Sequence, residues 1–233
     1  MSPAAQWLNS AFSDFDHAIL EFYHKLATVA DPICGPLSEF FAFAGDGALA
    51  CFVLAAILLL FANTRKSGIC IAISTGLAAL VTNVTVKPLV ARPRPYASGV
   101  ADFVEWWEYV GGHTHSEFSV PSGHTTSAMA GALALCLCIC LFNGKESNKK
   151  YRWVLIPSAL YVILMGASRN YIMVHYPSDI LGGVIAGAIG AILGFLLIHF
   201  LYKGFEGNKD NKFCAFMLDA DVRNLFKKKG ELK

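Results

Sequence analysis

Two histidines, an aspartate, a serine and a set of cations stand at three points where apolar runs give way to polar sequence. The first point is Lys87-Pro-Leu-Val-Ala-Arg-Pro-Arg94-Pro95, the second is Pro121-Ser122-Gly123-His124, and the third runs from Ser168-Arg169 to His175-Tyr-Pro-Ser-Asp179. These are the residue types that phosphoryl transfer requires: an in-line nucleophile, an acid for the departing oxygen, and positive or N–H groups around the equatorial oxygens. Arginine forks match phosphate oxygens and lysine adds a point charge, so Lys87 and Arg94 suit an anion. The prolines at 88, 93 and 95 are expected to end regular helix there and let both side chains turn to one point.

At the second point Pro121 favours a helix start and Gly123 permits close backbone approach, so first-turn N–H groups form an anion cradle beside His124. Ser122 serves there as a further donor or as the helix cap. At the third point Pro177 marks the first turn of a helix, which places Asp179 in that turn and lets His175 fold back onto its carboxylate. A carboxylate on one imidazole nitrogen fixes the tautomer and raises the basicity of the other, which makes histidine a nucleophile.

The elements that position these points belong in a membrane. Of 233 residues 55% are hydrophobic and 15% charged, and the mean hydropathy of +0.49 lies outside the soluble range. A net charge of +2 gives no reason to expect a nucleic-acid partner. The first thirty residues lack the pattern of a cleavable signal peptide, and the first spanning segment is expected to serve as insertion signal. Cys51, Cys70, Cys136, Cys138 and Cys140 sit inside apolar runs and are expected as free thiols that fill space.

Five spans are expected, at 46–63, 67–86, 122–142, 153–169 and 179–202, each near the ~20 residues that cross a bilayer, with the fourth on the short side. Before them, residues 12–30 carry Phe15, Ala18, Ile19, Phe22, Tyr23, Leu26 and Ala30 at helical spacing, with Asp14, Asp16, His17, Glu21, His24 and Lys25 mostly opposite. That pattern describes a helix lying on the membrane surface, ended by Asp31-Pro32 and followed by a short apolar piece from Gly35-Pro36 to Ala44 that inserts part way. The fold expected is thus an all-α, polytopic membrane helix bundle with an N-terminal interfacial or partly inserted helix pair, organised as 1–45, a membrane domain 46–202, and a basic tail 203–233.

Basic residues stay on the cytoplasmic side. With Arg65-Lys66, the Lys145–Arg152 loop and the tail from Lys203 placed there, fourteen of nineteen are accounted for. Four of the other five, Lys87, Arg92, Arg94 and Arg169, gather at the three outward points, where an anionic ligand or lipid headgroups would hold them. The 95–120 segment, with Trp106, Trp107 and Tyr109, is expected to lie across the mouth of the bundle, as a gate for lipid or as a plain connector. His113-Thr-His115 without a third ligand reads as solvated or pH-responsive rather than as a metal site.

Lys-x6-Arg-Pro, then Pro-Ser-Gly-His, then Ser-Arg-x5-His-x3-Asp resembles the three-part signature of the type 2 phosphatidic acid phosphatase superfamily, from Lys87 through Asp179. The resemblance implies a six-helix core and a lipid phosphatase working without metal or other cofactor. His175 would form a phosphohistidine, His124 would be the acid, and Asp179 the partner of His175. Lys87, Arg94, Ser122, Gly123 and Arg169 would bind phosphoryl oxygens, while Arg92 stands outside the register. The expected partners are the lipid phosphate substrate and membrane lipids, with no nucleic acid and no obligatory protein. The expected place is the inner (plasma) membrane, site outward and C-terminus cytoplasmic. Among substrates the resemblance is nearest to undecaprenyl diphosphate phosphatases; phosphatidylglycerophosphate, phosphatidate, lipid A phosphate and transfer to an alcohol share the signature. An anion transporter or scaffold would need the cations but not a matched nucleophile and acid.

Overall fold

A computed structural model describes residues 1–115, 117–142 and 151–225. The basic loop at 145–150 and the Lys227–Lys229 run of the tail lie outside the described residues. Among those described, every regular element is helical. In chain order they are α1 (Pro3–Ala11), α2 (Ser13–Gly45), α3 (Leu49–Leu59), α4 (Ala62–Leu80), which continues through a π-helical turn (Val81–Val86) into α5 (Lys87–Val90), α6 (Ala101–Tyr109), α7 (Gly123–Leu137), α8 (Leu155–Tyr171), α9 (Pro177–Gly207) and α10 (Lys212–Asp219).

The stretches 13–59, 62–97, 123–142 and 177–207 are long and apolar enough to cross a membrane. The segment expected at 153–169 forms the 17-residue α8, about 25 Å at the helical rise. It turns Ile156, Leu160 and Ile163 outward.

Helices α4, α7 and α9 pack on one another as the centre. In lipid the hydrophobic effect does not drive helices together, so close contact of small residues does that work. Gly183, Gly187, Gly190 and Gly194 line one face of α9, a turn apart. A Cβ at Gly183 would lie 2.8 Å from the Ser122 carbonyl oxygen and one at Gly190 2.6 Å from Ala78 Cβ, while Gly187 abuts the Thr126 carbonyl and Gly194 the Ser74 hydroxyl. Cys51, Cys70 and Cys138 fill the layer below with Ala134, Ala191 and Phe195, and these three, like Cys34, Cys136 and Cys214, are free thiols.

Two expected helix ends are overturned. Asp31-Pro32 does not stop the N-terminal helix, since α2 runs 33 residues with Pro32 and Pro36 inside it. Both prolines are exposed, and packing on α8 carries the helix past them: Ala27 sits against Tyr171 and Ile172, and Tyr171 donates to Asp31 Oδ1 at 2.7 Å. Pro88 does not end the next one either. The π turn just before it widens the coil and takes up the carbonyl that the proline ring would strike. The chain breaks three residues later, at Ala91 with φ 50°.

On the far side of the bundle Arg65 fixes the tail. Its Nη1 donates to the carbonyls of Phe216 (3.1 Å) and Met217 (3.2 Å), and Nη2 to that of Ala220, which caps the C-terminus of α10. Asp221 accepts from the Ala62 N–H at 3.0 Å, and Phe213 and Phe216 stay exposed.

Gly190→Ala is expected to lower the unfolding temperature in detergent, with an overpacking cost of about 1–3 kcal/mol. Gly204→Ala, where a Cβ meets nothing within 4 Å, gains helix propensity and is expected to hold or raise it.

Candidate active site

A cavity of about 320 Å³ lies where α5, the start of α7, the end of α8 and the 172–176 turn meet, and Lys87, Arg94, Gly123, His124, Arg169 and His175 all line it. Six of the eight residues singled out in the sequence therefore share one space, and the other two support it. Ser122 is buried; its hydroxyl accepts from the Thr125 N–H (3.4 Å) and hydroxyl (3.1 Å), which makes it the cap of α7 and not a lining donor. Asp179 stands behind His175 in the first turn of α9, where Oδ2 accepts from the Tyr176 N–H at 2.9 Å.

Arg94 is turned inward by two backbone carbonyls, donating through Nε to Glu117 (2.9 Å) and through Nη1 to Val174 (2.8 Å). The same Nη1 lies 3.3 Å from His175 Nε2. A guanidinium has no lone pair to offer, so this contact requires that Nε2 accept and that the ring proton sit on Nδ1. Nδ1 faces Asp179 Oδ2 at 3.5 Å and has no closer acceptor among the described residues. Asn170 Nδ2 donates to the His175 carbonyl at 2.9 Å and steadies the turn. Burial first, then Arg94 and Arg169, hold the His175 imidazole well below its ordinary range, so it is neutral with its lone pair toward the cavity.

His124 is set the other way. Its Nε2 faces the Ala42 carbonyl at 3.2 Å and Asp46 Oδ1 at 3.0 Å, both acceptors, so this nitrogen carries the proton. One wall thus presents an imidazole lone pair and another an imidazole N–H. Arg169 is buried, with Nη2 donating to His115 Nε2 at 2.9 Å and an Nε–H that has no acceptor among the described residues. A Cβ on Gly123 would lie 3.4 Å from Asn83 Oδ1 and 3.6 Å from Lys87 Nζ, so glycine keeps the wall open to both.

Four lining groups are not among the candidate site residues, although the sequence reads His115 as solvated or pH-responsive. Glu117 pairs with Lys87 Nζ, Asp46 sits on His124, His115 on Arg169, and Asn83, one turn before Lys87, has no hydrogen-bond partner among the described residues. Burial, then Arg169 and Arg94, lower His115 from the ordinary 6.5 to about 4. Lys87 holds Glu117 below the usual carboxylate range. Arg92, by contrast, is directed away from the cavity onto Asp16 and Asp179. The 95–120 segment does pack over this end: α6 lays Trp106 on His24, with ring centroids 5.3 Å apart, and Phe103 on Tyr176.

The profile described as PAP2 superfamily matches residues 67–204 and so includes all three motif points. The chain belongs to the PAP2 superfamily. Among PAP2 relatives, the undecaprenyl-diphosphatase BcrC of Bacillus subtilis is 32% identical over 146 residues, 60% of this chain and 62% of that protein. A lipid A 4'-phosphatase of Bacteroides thetaiotaomicron is 28% identical over 196 residues, 80% of this chain and 78% of that protein. The chain therefore spans less than two thirds of the length of the first of these. The crystal structure of a transmembrane PAP2-type phosphatidylglycerolphosphate phosphatase from Bacillus subtilis matches with a TM-score of 0.60 and 25% identity over 90% of this chain and 92% of that one.

Glu117→Gln removes the carboxylate from Lys87 and is expected to tighten the binding of inorganic phosphate, read by titration calorimetry. His115 is the group to follow with pH. Its folded pKa of about 4 lies below the ordinary 6.5, so its contribution to stability is whole above 6.5 and is lost as pH falls toward 4. His115→Gln is expected to flatten the fall of unfolding temperature across that window.

Proposed function

We propose that this protein is a lipid phosphatase in which His175 is the nucleophile and His124 the leaving-group acid. The observation that carries the reading is the opposed setting of the two rings, Nε2 of His175 unprotonated and accepting from Arg94 Nη1, and Nε2 of His124 protonated. The three cations face the same space. Nε2 of His175 attacks phosphorus, the P–O bond to the lipid breaks, and that oxygen leaves with the Nε2 proton of His124, which enters the step as the imidazolium beside Asp46 and ends as the neutral ring. Water then attacks the phosphohistidine, giving a proton to His124 and releasing phosphate. Lys87, Arg94 and Arg169 surround the equatorial oxygens, Gly123 lets the backbone of α7 approach them, and Ser122 sets where α7 begins. Asp179 keeps the proton on Nδ1 and offsets the positive charge of the phosphorylated ring. The protein's own cations balance the phosphate, so none of these roles asks for a metal.

The substrate class is a lipid phosphate or diphosphate, and an isoprenyl diphosphate such as undecaprenyl diphosphate fits best. Ala48, Phe52 and Ala79 line the same cavity as His124. An apolar wall within the cavity that holds the cations suits a chain that starts at its phosphate, without an intervening sugar or glycerol. The relative named undecaprenyl-diphosphatase supports the same choice. The relatives named for lipid A and phosphatidylglycerolphosphate keep a monoester as the alternative, and exclusion of water from the phosphohistidine would turn hydrolysis into transfer to an alcohol. The working unit is 46–202, with 1–45 packed over it and 203–233 as a cytoplasmic tail. Its site faces outward from the plasma membrane, with membrane lipids as its surroundings and no obligatory protein partner.

The test is phosphate release in detergent with EDTA from isoprenyl diphosphate, diacylglycerol pyrophosphate and phosphatidylglycerophosphate. Diphosphate is expected to turn over fastest and His175→Ala to be inactive, with labelled phosphate trapped on His175 in the wild type. Full activity in His175→Ala sinks the nucleophile. Loss of a general acid costs about 10²–10⁴-fold, so His124→Ala is expected to cost more on an alkyl monoester than on a diphosphate, whose departing phosphate needs less protonation.

A further inference from the structure

Arg92 stands two residues before Arg94 without sharing its cavity, and its side chain is 1% exposed. The guanidinium is spent on acceptors behind the site. Nε donates to Asn9 Oδ1 at 2.7 Å, Nη1 to Ser178 Oγ and Asp179 Oδ1 at 2.7 Å each, and Nη2 to Asp16 Oδ2 at 2.8 Å. Ser178 closes the ring, donating from its N–H to Asp16 Oδ1 at 2.8 Å and from its hydroxyl to Asp16 Oδ2 at 2.7 Å. The Tyr176 ring covers one face of the guanidinium, with Cζ 3.8 Å from the ring centroid.

We infer that Arg92 and Asp16 are positioning residues of the reaction, acting on His175 through Asp179. The inference rests on the assignment of His175 as nucleophile. Asp179 divides its two oxygens: Oδ1 goes to Arg92, while Oδ2 takes the Tyr176 N–H and the Ser119 hydroxyl and faces His175 Nδ1. With Oδ1 pinned, the carboxylate cannot rotate, and Oδ2 keeps the ring proton on Nδ1 and the lone pair on Nε2. A carboxylate wholly out of water remains an anion only beside a cation, and Arg92 is that cation. Asp16 holds the opposite arm of the same fork, so its place on α2 makes the N-terminal helix part of the geometry of the nucleophile. The Ser119 N–H, bonded to the Arg92 carbonyl at 2.8 Å, ties the 110–122 loop to this frame.

A loosened frame should leave ground-state binding alone, because Lys87, Arg94 and Arg169 still hold the phosphate. The loss falls on the step in which the imidazole becomes cationic. The experiment uses the full chain in detergent, with the diphosphate substrate and the variants Asp16→Asn, Arg92→Gln and Arg92→Lys. Asp16→Asn and Arg92→Gln are expected to lower kcat about 10–100-fold, by analogy with the loss of outer partners that orient metal-bound histidines. KM and the inhibition constant of inorganic phosphate stay unchanged. Inhibition by orthovanadate, which takes up the nucleophile's nitrogen as a fifth ligand, weakens by a similar factor. Arg92→Lys, which keeps the charge and loses the fork, falls between wild type and Arg92→Gln. Unfolding temperatures are recorded alongside, and if Asp16→Asn fails to fold, Arg92→Lys reads the same split between kcat and KM. A folded Asp16→Asn with wild-type kcat overturns the inference, as does a parallel rise in KM and the phosphate constant. A wild-type protein that releases no phosphate from any substrate sinks the phosphatase reading instead. In that case the contrast between vanadate and phosphate binding, measured by calorimetry, still decides the positioning role.

Discussion

Three cations that repel one another, Lys87, Arg94 and Arg169, are held around one cavity with no more than 5% of each exposed to solvent. Charge removed from water at such close quarters persists only where acceptors replace the water. The surrounding chain is built to supply them. Two backbone carbonyls face Arg94 and one imidazole faces Arg169, and Glu117 lies on Lys87. Regular helix cannot spare its carbonyls for this, because they are bonded within the coil. The acceptors therefore come from the 172–176 turn and the 110–122 loop, and Met173 takes φ 57° in that turn.

The same constraint explains why the packing elsewhere is so close. A set of charges that balances only at short range tolerates no slippage between the elements that carry it. Lys87 follows α4, His124 begins α7 and Asp179 begins α9, and these are the three helices locked by the glycine face of α9. Contact between backbones, without long side chains in between, sets their relative height. Each charge is thereby placed within hydrogen-bond reach of its partner.

That the motif residues share one cavity was legible in the sequence, because the few residue types that suit phosphate chemistry gather here at three apolar-to-polar junctions. Lys87, Arg94, Gly123, His124, Arg169 and His175 could be named from type and spacing alone. Asp16 could not. Grouped by type with Asp14, His17, Glu21 and Lys25 it reads as part of a solvated face, yet at 100° per residue it falls between Tyr23 and Ala27 on the packed side and is 2% exposed, its partner Arg92 lying far along the chain. Arg92 itself looked like a spare copy of Arg94; only the direction of the side chain separates an arginine that faces a ligand from one that faces two carboxylates. The unbroken α2 was hidden for a related reason. Pro32 and Pro36 carry a local signal to stop, and the contacts that overrule it come from Tyr171 and Ile172, more than a hundred residues away. Asp46 and Glu117 lacked any local cue, since a lone acid in a connector is ordinary until a cation is found beside it, and the His113-Thr-His115 pair gave no sign that His115 would meet Arg169.

Glu117 on Lys87 and Asp46 on His124 also bear on which anions the cavity can admit. A carboxylate fixed on a short loop competes for its cation at an effective concentration on the order of millimolar or more. An anion that enters this cavity must therefore displace a tethered rival, and one with several oxygens, able to reach Lys87, Arg94 and Arg169 together, is better placed to do so than one with a single charge and no matching geometry.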